Sequence, residues 1–268
     1  MTAGSVSASR DWKRYLDLGA ALAGQEFPGA YRGNLTGALA AIAVPLATVA
    51  TYAFVFSRLI PVRIRPGQST TEYALFLLAG LVVWNLVADV VVRSPRLFAA
   101  SAHYVHRARF PISLVVIAPC LASFYRALPW WLAYGLAHAW LYRTLPKTFF
   151  AAPLVLVFTM GIAIGLALAI ASIGAVVRDL GDALPPIVSL AFFVSPILYP
   201  ASRLGEVSEW LVRLNPMAAP IQIMRALVFE GALPEQALLV QLAVATTLCL
   251  AIGVLAYRLV RTSLQDLV

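Results

Sequence analysis

GNLTGALAAIAVPLATVATYAFVFS, residues 33–57, runs for 25 residues between Arg32 and Arg58 without one charged side chain. At least five further uncharged stretches of 16 or more residues follow before the C-terminus. Because an α-helix rises about 1.5 Å per residue, about 20 apolar residues cross the hydrocarbon core of a bilayer. The repetition of such stretches therefore predicts an all-α membrane protein.

The composition of the chain agrees with a membrane domain. Hydrophobic residues make up 61% and charged residues 12%, against about 45–50% and about 25% in soluble proteins. The net charge is +8, but the basic residues are scattered among the ends of apolar stretches. We therefore expect anionic membrane lipids, and not nucleic acid, as their partners. Cys120 and Cys249 both lie inside apolar stretches, which argues against a disulfide or a thiolate metal site.

The hydrophobic pattern predicts one membrane domain over residues 1–268, with a segment 1–36, a six-span bundle 37–260 and a tail 261–268. Pro119 and Pro129 lie in the third span, which we interpret as one tilted helix and not as two half-spans. Six spans put both termini on one side, and the distribution of arginine and lysine favours the cytoplasm. The predicted spans are 37–58, 73–92, 112–139, 150–177, 184–200 and 237–258.

Two connecting regions have the composition of structured segments. Residues 94–107 place apolar side chains at helical spacing among basic ones, which predicts a short amphipathic helix at the cytoplasmic surface. Its apolar side either rests on lipid headgroups or contacts a partner, and the pattern leaves both interpretations open. Residues 203–232 are too apolar for a solvated loop, and Asn215 and Pro216 interrupt them. Two short helices that enter the outer face of the membrane partway, and that are buried in protein or line a cavity, would fit this pattern. They suggest a gate.

The chain has no recognisable means of driving transport by itself. Its two lysines, Lys13 after Trp12 and Lys147 after Pro146, cannot belong to a GxxxxGK[ST] phosphate-binding loop. Asp89 is the one acidic residue within a predicted span, so the acidic chain of a proton relay is missing. A pump built on this chain would need its motor on another subunit.

Five blocks of sequence, taken together, carry a resemblance to a known family. The blocks are YRGNLTGALAAIAVPLATVATYAFVFSRLI at 31–60, LFLLAGLVVWN at 75–85, ARFPISLVVIAP at 108–119, VVRDLGDALPPIVSLAFFVSPILYP at 176–200 and LNPMAAPIQIMRALVFEG at 214–231. With these blocks in this order, the sequence resembles the transmembrane subunits of polysaccharide-exporting ABC transporters, the O-antigen and teichoic-acid permeases of the type 2 ABC superfamily.

The resemblance implies a homodimer of permeases bound to two ATP-binding subunits, which hold the ATP and Mg²⁺, so that this chain itself binds no cofactor or metal. The implied substrate is a glycan on a polyprenyl-diphosphate carrier that crosses the cell inner membrane, as in lipopolysaccharide biosynthesis. Segment 94–107 would be the coupling helix, residues 10–30 an interfacial helix and residues 205–231 the outer gate helices. The residues implied for ATPase coupling are Arg96, Phe98, Tyr104, His106, Arg178 and Asp179, and those implied for the gate are Trp210, Asn215 and Pro216.

Aromatic side chains are candidates for the wall of a glycan conduit. A sliding sugar chain benefits from aromatic faces against its C–H groups and from few tight polar contacts. Aromatic residues at span ends also form ordinary interfacial belts, so both interpretations remain open. The candidates are Tyr52, Phe54, Phe56, Tyr125, Trp130, Phe192, Phe193 and Tyr199.

Arg126 lies deep in the third span, where an unpaired charge costs at least about 2.5–3.5 kcal/mol. Two interpretations remain open: it binds the carrier diphosphate or a sugar carboxylate in transit, or it pairs with Asp89 of the second span. Arg32, Arg107 and Arg109 are better placed to capture a diphosphate at the cytoplasmic entrance, because a guanidinium offers phosphate a two-pronged contact. They are equally placed as positive-inside anchors.

Three other functions remain as alternatives. A type 2 ABC permease for teichoic acid, capsule, drugs or lipids would share the layout. A membrane enzyme of glycan assembly would need paired acids or a histidine base at the membrane face, whereas the few such residues are scattered. A secondary transporter would show inverted repeats with broken midplane helices. We therefore expect a non-enzymatic permease subunit.

Overall fold

The computed structural model of the protein describes residues 43–44, 46–48, 50–52, 54–55, 70–101, 113–177, 179–200, 210 and 212–261. Within these residues the backbone is helical and contains no β-strand, as the sequence predicted. The helices are α1 Thr70–Arg93, α2 Leu97–Ala100, α3 Leu114–Tyr142, α4 Ala152–Val176, α5 Leu180–Val194, α6 Ala218–Arg225 and α7 Gln236–Val260.

Four helical segments are long and apolar enough to cross a membrane: Glu72–Ala100, Leu114–Tyr142, Lys147–Val176 and Gln236–Val260. They match the second, third, fourth and sixth predicted spans. The third is one helix with Pro119 and Pro129 inside it, which confirms that prediction. The first predicted span, 37–58, lies mostly outside the described residues.

The predicted bounds of the fifth span, 184–200, are wrong. Helix α5 begins at Leu180 and ends after 15 residues at Val194. Ser195 has an extended backbone with ψ 144°, because the ring of the following Pro196 disfavours the helical conformation in the residue before it. The apolar residues after it therefore form turns and not a continuation of the helix.

Successive long helices run in opposite directions between two ends of the bundle. At the α2 end, which we define by residues 94–101, α1 finishes, α4 finishes beside Pro95, and α5 begins beside Arg96. At the opposite end, which we call the α6 end, the hydroxyl of Tyr134 in α3 donates to the Val228 carbonyl at 3.2 Å. Because α7 runs from the α6 end to the α2 end, the last described residue, Arg261, lies at the α2 end.

Helix α1 forms the centre of the bundle. Most of its side chains are buried against α3, α4, α5 and α6, as expected of a helix that is apolar over most of its surface. Contacts between α1 and α3 include the Ser123 hydroxyl, which donates to the Leu86 carbonyl at 3.0 Å. Since α1 contacts four other helices, its side chains hold these helices together.

Glycines allow α4 and α7 to approach closely. A Cβ atom on Gly165 would lie 2.3 Å from the Cys249 backbone, and one on Gly253 would lie 2.2 Å from the Gly165 carbonyl oxygen. Gly161 and Gly165 are four residues apart and therefore share a face of α4. Small residues of this kind let helix backbones pack directly in a membrane, where apolar lipid gives little hydrophobic drive for association.

Two helices expose apolar side chains on the outside of the bundle. Helix α5 buries only Gly181 and Leu184, and α7 buries only Leu242, Thr246 and Gly253. Their exposed large side chains are Ile187, Leu190, Phe193 and Val194 on α5, and Leu239, Val240, Val244, Leu248, Ile252, Val254, Leu255 and Leu259 on α7. Surfaces of this composition suit lipid or another apolar protein surface.

Candidate functional site

Asp89, one turn before the end of α1, is shared by two arginines. Its Oδ2 atom accepts a hydrogen bond from Arg93 Nη2 at 2.9 Å and another from Arg126 Nη2 of α3. The ion pair that the sequence allowed between Arg126 and Asp89 is therefore present. Arg126 lies twelve residues beyond Leu114, about 18 Å along the helix, and is therefore far from the start of α3. The ion pair with Asp89 reduces the free-energy cost of placing a charge there.

A cleft of about 510 Å³ lies beside this ion-pair cluster, between α1 and α3. Its polar lining comes from the three charged side chains, the Asn85 amide and the Ser123 hydroxyl, and Trp130 adds an indole. Asn85 is exposed although it lies in the middle of the central helix. The remaining lining is apolar: Val82, Leu86, Ala88, Val92 and Ala127. The cleft therefore combines a cationic centre with hydrocarbon walls.

The α2 end carries an exposed ion pair between two elements distant in sequence. Arg96 Nη2 lies 2.5 Å from Asp182 Oδ1 at the start of α5, and both side chains are largely exposed. Next to this pair the backbones of α4 and residues 94–96 pack closely, because a Cβ on Gly174 would lie 2.4 Å from the Pro95 carbonyl oxygen. Asp179 is exposed at the same end. Residues 94–101 are thus held firmly against the ends of α4 and α5.

Phe98 has no exposed surface, so its side chain is not available to contact a partner subunit. It packs with Val90, Val116 and Ala171, and its ring centroid lies 6.3 Å from that of Tyr257. The prediction that Phe98 contacts an ATPase is therefore wrong for the side chain, because the apolar side of segment 94–101 faces the bundle. Phe98 anchors this segment to the bundle from within.

Arg225 is a candidate residue that the predictions from sequence did not include. Its side chain is only 4% exposed, at the end of α6. Its guanidinium donates to the carbonyls of Phe76 at 3.2 Å and of Pro196 and Ile197 at 2.5 Å each. An arginine within the apolar sequence PIQIMRALVF was the available signal, since a charge there has to be satisfied by buried partners.

The segment predicted to form a gate is described from 212 onward, with Trp210. The apolar side of α6 and of the π-helical turn Ala226–Glu230 is buried, and the function of these elements as a gate stays a prediction. Asn215 Nδ2 donates to Ser195 Oγ at 2.9 Å, and its Oδ1 accepts from the Met217 amide at 2.9 Å. Asn215 thus ties the turn before α6 to the end of α5, whereas the Trp210 side chain is largely exposed.

The conduit aromatics differ in their surroundings. Phe54, Tyr125 and Phe193 are exposed, whereas Tyr52, Trp130, Phe192 and Tyr199 are half-buried. Phe192 lies edge-on to Trp84 with centroids 5.6 Å apart, and Tyr199 donates its hydroxyl to the Phe193 carbonyl at 2.8 Å. Trp130 lines the cleft beside Asp89. Phe54, Tyr125 and Phe193 are therefore the most exposed side chains of this set among the described residues.

Several predicted residues lie outside the described part of the chain. These are Arg32, Phe56, Tyr104, His106, Arg107, Arg109 and Arg178. Their proposed contributions to the conduit, the entrance and ATPase coupling remain predictions. Among the residues described, no group of three or more His, Cys, Asp or Glu side chains is arranged to hold a metal ion.

Comparison with known proteins identifies similar chains. The family described as "ABC-2 type transporter" matches residues 19–229. The O-antigen export system permease protein RfbA of Klebsiella pneumoniae is 25% identical over 220 residues, covering 81% of this chain and 82% of the relative. The protein of the same name from Myxococcus xanthus is 25% identical over 246 residues, covering 90% and 91%. The similarity therefore extends over most of both chains.

Proposed function

The chain belongs to the ABC-2 type transporter family, and we propose that it is the permease subunit of an ABC exporter for a polyprenyl-diphosphate-linked, O-antigen-like polysaccharide. Family membership makes the chain a transport component and not an enzyme. The observation that carries the substrate assignment is the similarity, over 81–90% of the chain, to permeases named for O-antigen export. ATP hydrolysis belongs to a separate subunit, because the chain lacks a phosphate-binding loop of its own.

The proposed topology has six spans in the inner membrane, with both termini in the cytoplasm. The alternating directions of the long helices support it: α1, α3, α4 and α7 belong to the four segments long enough to cross a membrane, and the shorter apolar α5 would make a fifth passage. The predicted span 37–58, which carries no charge before Arg58, would make the sixth. An even number of passages brings the N-terminus to the α2 end together with Arg261, and the arginine distribution favours the cytoplasm for that end.

The α2 end is the proposed docking surface for the ATP-binding subunits, which hold ATP and Mg²⁺. Arg96, Asp179 and Asp182 are three of the exposed charged residues at this end. The contact between Pro95 and Gly174 leaves little free space, so a push on segment 94–101 passes to α4 as a rigid movement. Coupling therefore needs no contact from the buried Phe98 side chain.

Two copies of the chain form the proposed conduit. The exposed apolar face of α5 supports a partner copy, because a 15-residue helix with so little burial gains from a protein surface beside it. Exposed Phe193, Tyr125 and Phe54 would then offer aromatic faces to the sugar chain. The turn at Asn215 and Pro216, with Trp210 before it, forms the outer gate in this proposal, tied to α5 through Ser195.

Deletion of the gene in the source organism tests the proposal. We expect surface polysaccharide to disappear and the lipid-linked glycan to accumulate on the cytoplasmic side, where ATP-driven export would otherwise remove it. Expression of the intact gene in the deletion strain should restore the surface glycan. Normal surface glycan in the deletion strain, with loss of resistance to hydrophobic drugs instead, would move the chain to the drug or lipid branch of the family.

A further inference from the structure

We propose that the cleft between α1 and α3 binds the diphosphate group of the polyprenyl carrier, with Arg126 as the phosphate-binding residue and Asp89 as its partner while no carrier is bound. The identity of the carrier rests on the proposed function, whereas binding of a lipid diphosphate rests on the geometry of the cleft. Asp89 thus acts as an internal competitor that a diphosphate displaces.

The charges of the cleft favour an anion. Its lining contains two guanidinium groups and one carboxylate, and both guanidinium groups contact the same Oδ2 atom of Asp89. The single carboxylate of Asp89 therefore does not neutralise both guanidinium groups by itself. Arg126 has five N–H donors, and within the described part of the chain Asp89 is its one hydrogen-bonding partner. Since its side chain is 26% exposed beside the cleft, donor capacity remains for a second acceptor.

The shapes of the polar groups favour phosphate. A guanidinium presents its donors as a planar fork that fits two phosphate oxygens, and charge-assisted hydrogen bonds of this kind are the stronger ones. The exposed Asn85 amide lies one helical turn before Asp89 on the same side of α1. It adds neutral N–H donors next to the cationic centre, in the manner of sites that fix an oxygen-rich anion.

The walls of the cleft favour a lipid and not a soluble anion. Five of its lining residues are aliphatic, and the volume of about 510 Å³ lies within the range of small-molecule sites. A soluble phosphate would leave the apolar lining in contact with water, whereas a polyprenyl diphosphate would cover it with its hydrocarbon chain. Trp130 provides an aromatic face for the first sugar next to the diphosphate.

The test measures binding of radiolabelled geranylgeranyl diphosphate to the full-length chain in phosphatidylcholine nanodiscs. Arg126→Gln should weaken binding about tenfold or more, because it removes the charged fork. Asp89→Asn should strengthen binding several-fold, because it removes the competing carboxylate while keeping the shape of the side chain. The double variant should bind as weakly as Arg126→Gln. Arg258→Gln, an exposed arginine at the α2 end of α7, is the matched control and should bind normally.

The opposite signs expected for Asp89→Asn and Arg126→Gln separate this site from a purely structural ion pair. If both single variants weaken binding equally, the pair only holds α1 to α3 and the proposal is overturned. Thermal unfolding identifies any variant that fails to fold. The double variant, in which neither position 89 nor position 126 carries a charge, then reports the loss of binding. Equal binding of geranylgeraniol would show a merely apolar cleft and also overturns the proposal.

Two further arms separate the sources of the phosphate. Inorganic diphosphate should compete poorly, because it cannot cover the apolar walls. Phosphatidylglycerol that displaces the probe at equal concentration would assign the cleft to bulk anionic lipid and overturn the carrier assignment. Diphosphate binding with the expected variant pattern, in a chain whose deletion leaves surface glycan unchanged, would uphold the site and refute the proposed function. Export of surface glycan by a chain that does not bind the diphosphate would uphold the proposed function and overturn the proposed site.

Discussion

The guanidinium of Arg225 lies over the ring of Phe76, with its central carbon 3.5 Å from the ring centroid, and its Nε donates to the Phe76 carbonyl at 3.2 Å. The same side chain donates to the carbonyls of Pro196 and Ile197 after α5. One buried cation therefore satisfies three backbone acceptors and joins α6 to the ends of α1 and α5. In the proposed exporter this arrangement fixes the outer gate to the central helix.

Replacement of Arg225 by leucine should destabilise the chain strongly. Three buried carbonyls would lose their donor, and the expected cost is about 3 kcal/mol or more. The stability of Arg225→Lys should lie between those of the wild type and Arg225→Leu, since lysine keeps the charge but has no planar fork to reach all three acceptors. Thermal unfolding of the detergent-purified chain measures the effect, with exposed Arg258→Gln as the control. Equal melting of Arg225→Leu and Arg258→Gln would contradict this structural interpretation.

Gly253→Ala should lower stability although alanine is the better helix former by about 1 kcal/mol. Its Cβ would lie 2.2 Å from the Gly165 carbonyl oxygen, so α4 and α7 must separate. Gly161→Ala is the graded comparison, because its Cβ would meet the Thr246 methyl group at 2.7 Å, and a side chain adjusts more readily than a backbone. Unfolding in detergent should rank the chains as wild type, Gly161→Ala, Gly253→Ala. A stabilised Gly253→Ala chain would show that the helices do not pack this closely.

The exposed pair of Arg96 and Asp182 should matter for coupling and little for folding. Exposed ion pairs contribute about 0–1 kcal/mol, so Arg96→Asp and Asp182→Arg should each unfold near the wild-type temperature. Each single change should nevertheless reduce glycan-stimulated ATP turnover, because like charges push segment 94–101 away from α5. The double charge swap should restore most of that turnover. If the double variant has ATP turnover as low as that of the single variants, Arg96 acts through contact with the ATPase and not through its ion pair with Asp182.

Phe193→Ala should slow polysaccharide export more than Phe150→Ala. Both side chains are exposed, by 61% and 72%, so the two changes remove similar apolar surface from the outside of the chain. Only Phe193 lies on the α5 face proposed to border the conduit, where aromatic rings contact sugar C–H groups. Pulse labelling of surface glycan in complemented deletion strains gives the export rate. Equal rates for the two variants would argue that Phe193 faces lipid.

The sequence predicts most of the helix pattern because hydrocarbon admits so few backbone structures. The third span is one helix through two prolines, and the Arg126 and Asp89 pair is present, since both follow from the cost of unsatisfied groups in lipid. The early end of α5 was missed because an uninterrupted apolar sequence hid the effect of Pro196 on Ser195.

The partners of Arg225 and the direction of the Phe98 side chain could not be predicted from local pattern. The apolar sequence around Arg225 indicates only that its charge needs buried partners, and the tertiary arrangement brings three carbonyls around it. An apolar residue on an amphipathic segment faces either a partner or its own bundle. Phe98 faces the bundle because α3, α4 and α7 meet there.

Co-purification with the ATP-binding subunit, followed by ATP turnover in lipid nanodiscs, tests the central claim most directly. The account predicts a stable complex whose turnover increases when polyprenyl-diphosphate-linked glycan is added and stays unchanged with glycan that lacks the carrier. A chain that purifies alone, or a complex that responds only to hydrophobic drugs, would contradict polysaccharide export.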